Sequence, residues 1–89
     1  MGAGCGFITI ANRTGSTLTA VAFKTGTTTQ VGDPIVIPTD SSAYFNVDVS
    51  INYDIQITCT GGTKTVTNVN AIYNPTLTAN LLNGLLSLL

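Results

Sequence analysis

The feature that most constrains this chain is a strict alternation of apolar and polar residues in two neighbouring runs. Ala43, Phe45, Val47 and Val49 alternate with Tyr44, Asn46 and Asp48, and Tyr53, Ile55, Ile57 and Cys59 alternate with Asp54, Gln56 and Thr58. A period of two puts one set of side chains on one face of a strand, so each run predicts a β-strand with one buried face. Other runs are of the same kind. Residues 7–11 are rich in β-branched and aromatic residues and end at the turn signal Asn12-Arg13-Thr14-Gly15-Ser16; residues 17–24 resume with Leu18, Val21 and Phe23, so the pair reads as a hairpin. Ile35-Val36-Ile37 is bracketed by Pro34 and Pro38. Proline cannot donate to a ladder, which places this short strand at an edge. Gly61-Gly62 marks a turn into a Thr-rich strand over residues 63–69, and a further strand is expected over 70–73.

Six to eight short strands in 89 residues predict one all-β domain, an antiparallel β-sandwich or jelly-roll-like fold. The chain divides into a flexible N-terminal arm (1–6), the sandwich (7–74) and an apolar C-terminal segment (75–89). In that last segment Leu77, Leu81, Leu82, Leu85, Leu86 and Leu89 recur at helical spacing, with Asn80, Asn83, Gly84 and Ser87 opposite. Pro75 and Thr76 suit a helix start, so the expectation is a short apolar helix. The competing reading is a hairpin turning through Asn83-Gly84. Either form needs a surface to lie on, because a short uncharged helix is marginal alone. Burying five or six leucines, at roughly 1.5–3 kcal/mol each, would outweigh the cost of ordering them.

Charge is scarce. Three basic residues (Arg13, Lys24, Lys64) and four acidic ones (Asp33, Asp40, Asp48, Asp54) make up 8% of the chain, against roughly 25% in ordinary soluble domains. Thr, Ser and Asn supply the polarity instead, and they hydrate a surface without repelling a copy of it. Three unclustered basic residues argue against nucleic acid, whose phosphates require a basic stripe. There is no His and no Glu, so the usual general acids and bases are missing, and a cysteine nucleophile has no His partner. No catalytic residue, metal ligand set or cofactor is expected. Residues 1–6 have neither a basic region nor an apolar one of the kind a signal peptide carries.

Cys5 sits in a Gly-rich lead and Cys59 continues the apolar face of a strong strand. Two free thiols, a bridge within the chain and a bridge between subunits are all compatible with those positions. Asn12-Arg13-Thr14 has the form of a glycosylation sequon in a turn.

The order of Gly6-Phe7-Ile8-Thr9-Ile10, Thr14-Gly15, Val21-Ala22-Phe23, Ile35-Val36-Ile37, Ser41-Ser42-Ala43-Tyr44-Phe45-Asn46-Val47 and Asp54-Ile55-Gln56-Ile57 resembles the endospore-appendage subunits of Bacillus-type bacteria. Those are small β-sandwich proteins that stack into fibres. The resemblance implies a homopolymer at the cell or spore surface, joined by an N-terminal connector whose cysteine bonds to later subunits; Cys5 and Cys59 are the residues that would take those parts. A fainter similarity, through Ile10, Asn12, Thr14-Gly15, Thr17 and Thr19-Ala20, is to actinoporin-like, membrane-active sandwiches. The expected function is therefore a non-enzymatic structural subunit that self-assembles into a fibre, pilus-like filament or coat. A lipid-binding sandwich anchored by its C-terminal segment is one alternative. A small carbohydrate- or partner-binding module, using Tyr44, Tyr53 or Tyr73, is the other.

Overall fold

The computed structural model describes residues 4–89. Eight strands follow in chain order: β1 Cys5–Arg13, β2 Leu18–Lys24, β3 Ile35–Ile37, β4 Ser42–Asp48, β5 Tyr53–Cys59, β6 Gly62–Val69, β7 Thr76–Leu82 and β8 Leu85–Leu88. They form two four-stranded sheets, β4-β1-β7-β8 and β3-β2-β5-β6. The sheets face each other over one apolar core in a β-sandwich-like arrangement. All pairings of named strands are antiparallel except β1 with β7, which run parallel from Thr9↔Thr76 to Arg13↔Asn80.

The core follows the alternation. Phe45 and Val47 of β4 and Tyr53, Ile55 and Ile57 of β5 are buried, while Tyr44 and Asn46 between them face out. Ile8 and Ile10 of β1, with Leu77 and Ala79 of β7, fill the same interior from the first sheet. Leu18, Ala20 and Ala22 of β2 and Ile37 of β3 meet them from the second. Tyr53 joins the two sheets at one end: its hydroxyl accepts the backbone N–H of Asp48 at 2.9 Å.

Four sequence expectations need correction. First, β1 and β2 do not pair; they belong to different sheets. The segment between them is a corner, and the side chain of Asn12 makes it one. Its amide donates to the carbonyls of Ser16 (2.7 Å) and Ile37 (2.9 Å), and its Oδ1 accepts the N–H (3.0 Å) and hydroxyl (2.7 Å) of Thr14. The chain is thereby carried across the core instead of back along its own sheet. Asn12 is 1% exposed, so the sequon-like triplet is part of the corner and its amide lies inside.

Second, the C-terminal segment is a β-hairpin, not a helix. Asn83 and Gly84 are both left-handed, with φ of 53° and 77°, the pair a tight two-residue turn needs and that Asn-Gly readily supplies. Lying beside β1 also pairs the backbone edge of β1, which a helix, satisfied by its own hydrogen bonds, would leave open. Third, residues 70–73 are a turn. Asn74 donates its N–H to the Asn70 carbonyl at 2.6 Å, and the Asn70 side chain accepts from Ile72 at 2.8 Å. Fourth, Cys5 and Gly6, expected in a flexible arm, are paired in β1 opposite Asp48 and Val47. Residues 1–3 of that arm lie outside the described residues.

The four sheet edges differ. In the second sheet β3 has three residues between prolines, and β6 carries Lys64 and an irregular register near Tyr53 and Ile55. Short length, proline, lysine and bulges all keep an edge from pairing with another chain. In the first sheet β4 and β8 have no proline and no lysine, and β8 has no charge at all. By these measures β4, seven residues long, is the unguarded edge, whereas β8 is only four residues long and lies against β6.

Asp54 ties the β2–β3 loop to β6. Its carboxylate accepts from the Thr25 hydroxyl (2.8 Å), the Asn68 N–H (3.2 Å) and the Gly26 N–H (3.4 Å). Burial pushes its pKa up, but these hydrogen bonds more than offset that and hold it below the usual value. Asp48 is also held low, by the N–H and hydroxyl of Ser50. A carboxylate with a depressed folded pKa contributes stability that is complete above its unfolded pKa and is lost as pH falls through the folded one. The melting temperature is therefore expected to be level at neutral pH and to drop below about pH 4. Melts recorded across that range should show a shallower acid drop for Asp54→Asn than for wild type.

Candidate assembly site

The expected site residues divide between the two faces of the β7–β8 hairpin. Leu77 is buried, and Leu81 and Leu86, paired with each other, are partly buried on the inward side. Leu82 and Leu85, also paired, face outward at 70% and 75% exposure, and Leu89 is exposed too. Leu88, which was not among the expected site residues, is the residue that seals the core here, at 3% exposure. Its signal was available: it stands two residues after Leu86, in phase with a strand.

Leu81 lies against Gly61, at the turn between β5 and β6, where any Cβ would collide with the leucine side chain. A glycine there lets the hairpin close one flank of the sandwich, β6 coming against β8. The hairpin tip itself runs beyond β1, whose last residue Arg13 pairs with Asn80. The result is an uncharged apolar knob, Leu82-Asn83-Gly84-Leu85, at one pole of the molecule.

The opposite flank is open, since β3 and β4 barely touch. Two clefts indent the molecule, the second of them along this flank. One, of about 490 Å³, is walled by Gly4, Cys5, Asn46, Val47, Asp48 and Tyr53. The other, of about 310 Å³, lies between the Val31–Ile35 segment and Tyr44–Asn46. The first sits at the pole remote from the knob, where β1 begins and Tyr53 meets Asp48.

The two cysteines mark the same poles. Cys5 is exposed in the cleft wall, and Cys59, partly buried, ends β5 beside Gly61, whose N–H points to its sulfur at 3.4 Å. Neither thiol is bonded. Tyr53 begins at the Cys5 pole the seven-residue strand that Cys59 ends, a span of about 20 Å at ~3.3 Å per residue. A disulfide needs Cα atoms within about 7 Å, so a bridge inside one chain does not fit this fold.

Further apolar side chains lie on the outside, of which Phe7, Ile72 and Val36 were missed as site residues in the sequence. Phe7 and Tyr44 meet edge to face on the outer surface of the first sheet, ring centroids 4.9 Å apart. Ile72, Tyr73 and Val36 are exposed elsewhere. Of the three tyrosines considered for ligand binding, Tyr44 and Tyr73 are exposed and Tyr53 belongs to the core. Phe7 was legible only once the phase of β1 was known, because Ile8 and Ile10 point in and Phe7 must then point out. No family model matches this chain, and neither the curated proteins nor the solved structures include one that matches it.

Proposed function

We propose that this protein is a non-enzymatic structural subunit that self-assembles into a homopolymer, a fibre, pilus-like filament or coat at a cell or spore surface. The observation that carries the reading is the apolar surface left outside a nearly uncharged domain: Leu82, Leu85 and Leu89 on the hairpin, with Phe7 and Tyr44 on the same sheet. Three positive and four negative residues provide little repulsion to keep copies apart. The unguarded edge of β4 adds backbone groups free to pair. Exposed apolar area of this kind marks an interaction surface, and the same low charge that favours a copy of itself disfavours a charged partner.

The experiment is light scattering on purified protein over a concentration series, with electron microscopy of the largest species. Growing, ordered polymers are the expected result; a monomer at every concentration overturns the reading. The cysteines add a second readout. Oxidised with glutathione disulfide, wild-type polymers are expected to show a ladder on non-reducing electrophoresis. Cys5→Ser should assemble as before but give no ladder and dissolve at lower denaturant.

A further inference from the structure

We propose that copies join head to tail through a knob and a cleft: the Leu82–Leu85 hairpin tip of one subunit seats in the Cys5–Asn46–Asp48–Tyr53 cleft of the next. The proposal rests on the self-assembly reading above and specifies its longitudinal joint. Three independent observations converge on it. The first is shape. An exposed apolar knob stands at one pole and, at the other, the larger of the two clefts, open to solvent and with a volume of about 490 Å³.

The second is charge. At the knob pole are Arg13, Lys64 and Asp40, located by their pairing with Asn80, Ile57 and Asn12. At the cleft pole are Asp48, Asp54 and Lys24, located by Cys5, Phe23 and Tyr53. Two positive and one negative charge thus face two negative and one positive when poles meet, whereas like poles repel. The third is the thiols: Cys59 lies at the knob pole and Cys5 in the cleft wall, so the joint brings together two sulfurs that one chain holds apart. Knob and cleft are different surfaces on every copy, so the contact is heterologous. Without a rotation that closes a ring it continues as a filament.

The test is a complementation. Leu82→Asp puts a charge on the knob, and Cys5→Arg fills the cleft. Both positions are exposed and lie on inner strands of their sheet, away from the β4 and β8 edges. Circular dichroism and melting should match wild type, with Leu82→Asn as a second, uncharged knob variant. Each variant alone is expected to stay monomeric, at least tenfold below wild type in polymer yield by light scattering. Mixed in equal amounts they should form a discrete 1:1 dimer, since one intact knob and one intact cleft remain. A short bismaleimide added to wild-type polymer should link Cys5 of one chain to Cys59 of another. Wild-type yield from Leu82→Asp and Leu82→Asn overturns the joint and leaves assembly through the sheet edges. A mixture that stays monomeric, or bismaleimide products dominated by Cys5–Cys5 pairs, also overturns it. A wild-type protein that never assembles overturns the joint and the function together.

Discussion

Asn12→Ala is expected to lower the melting temperature by about 12–24 °C, at about 4–8 °C per kcal/mol in a domain of this size. The loss in stability behind that figure is about 3 kcal/mol. Asn12 makes four hydrogen bonds from inside the corner between the sheets. Alanine removes all four and leaves the buried Ile37 carbonyl and the Thr14 N–H without that partner. A buried group stripped of its partner costs about 1–3 kcal/mol. The Ser16 carbonyl is cushioned, because the Thr14 hydroxyl, 2.9 Å away, turns its one proton to it once Asn12 Oδ1 is gone. Arg13→Ala, one residue along and exposed, should change stability by less than about 0.5 kcal/mol. Thermal melts of the two variants read the contrast directly, and an Asn12→Ala protein that melts with wild type would mean the amide does not hold the corner.

That corner also shows where local sequence stops being informative. The alternation in β4 and β5 is strong enough to assign strand, face and core membership, because a one-residue slip would turn Phe45 and Ile57 to water. The prolines around β3 likewise announce an edge, since they cannot donate to a ladder. A turn signal such as Asn12-Arg13-Thr14-Gly15-Ser16 says only that the strand ends. Whether the next strand returns in the same sheet or crosses to the other depends on where the Asn12 amide finds acceptors, and one of them, Ile37, is far along the chain. The parallel pairing of β1 with β7 is legible from neither partner, since the residues it joins are separated by most of the domain. The candidate site was visible in part. The leucines of the C-terminal segment stood out together as surface needing cover, but which of them face out follows only from the hairpin, and the cleft exists only where the ends of β1 and β4 meet the start of β5.

The C-terminal leucines fit two periods at once, and Leu88→Asp separates them. In a helix Leu85, Leu88 and Leu89 fall on one stripe, so aspartate at any of them would be buried. In the hairpin neighbours point to opposite faces: Leu88, paired with Ala79, points into the core between the sheets, while Leu89 is 81% exposed. Leu88→Asp forfeits about 1.5–3 kcal/mol of leucine burial. It also demands that a carboxylate enter the core unpaired, which costs several kcal/mol more. Against a total of about 5–15 kcal/mol for a natural domain, this variant is expected to be largely unfolded at room temperature. Leu89→Asp should retain the wild-type dichroism spectrum and melt within about 4 °C of wild type, as surface substitutions change stability by only about 0.5 kcal/mol. Equal damage from the two would restore the helix and withdraw the knob, since an exposed Leu82 and Leu85 require Asn83-Gly84 to turn the chain between them.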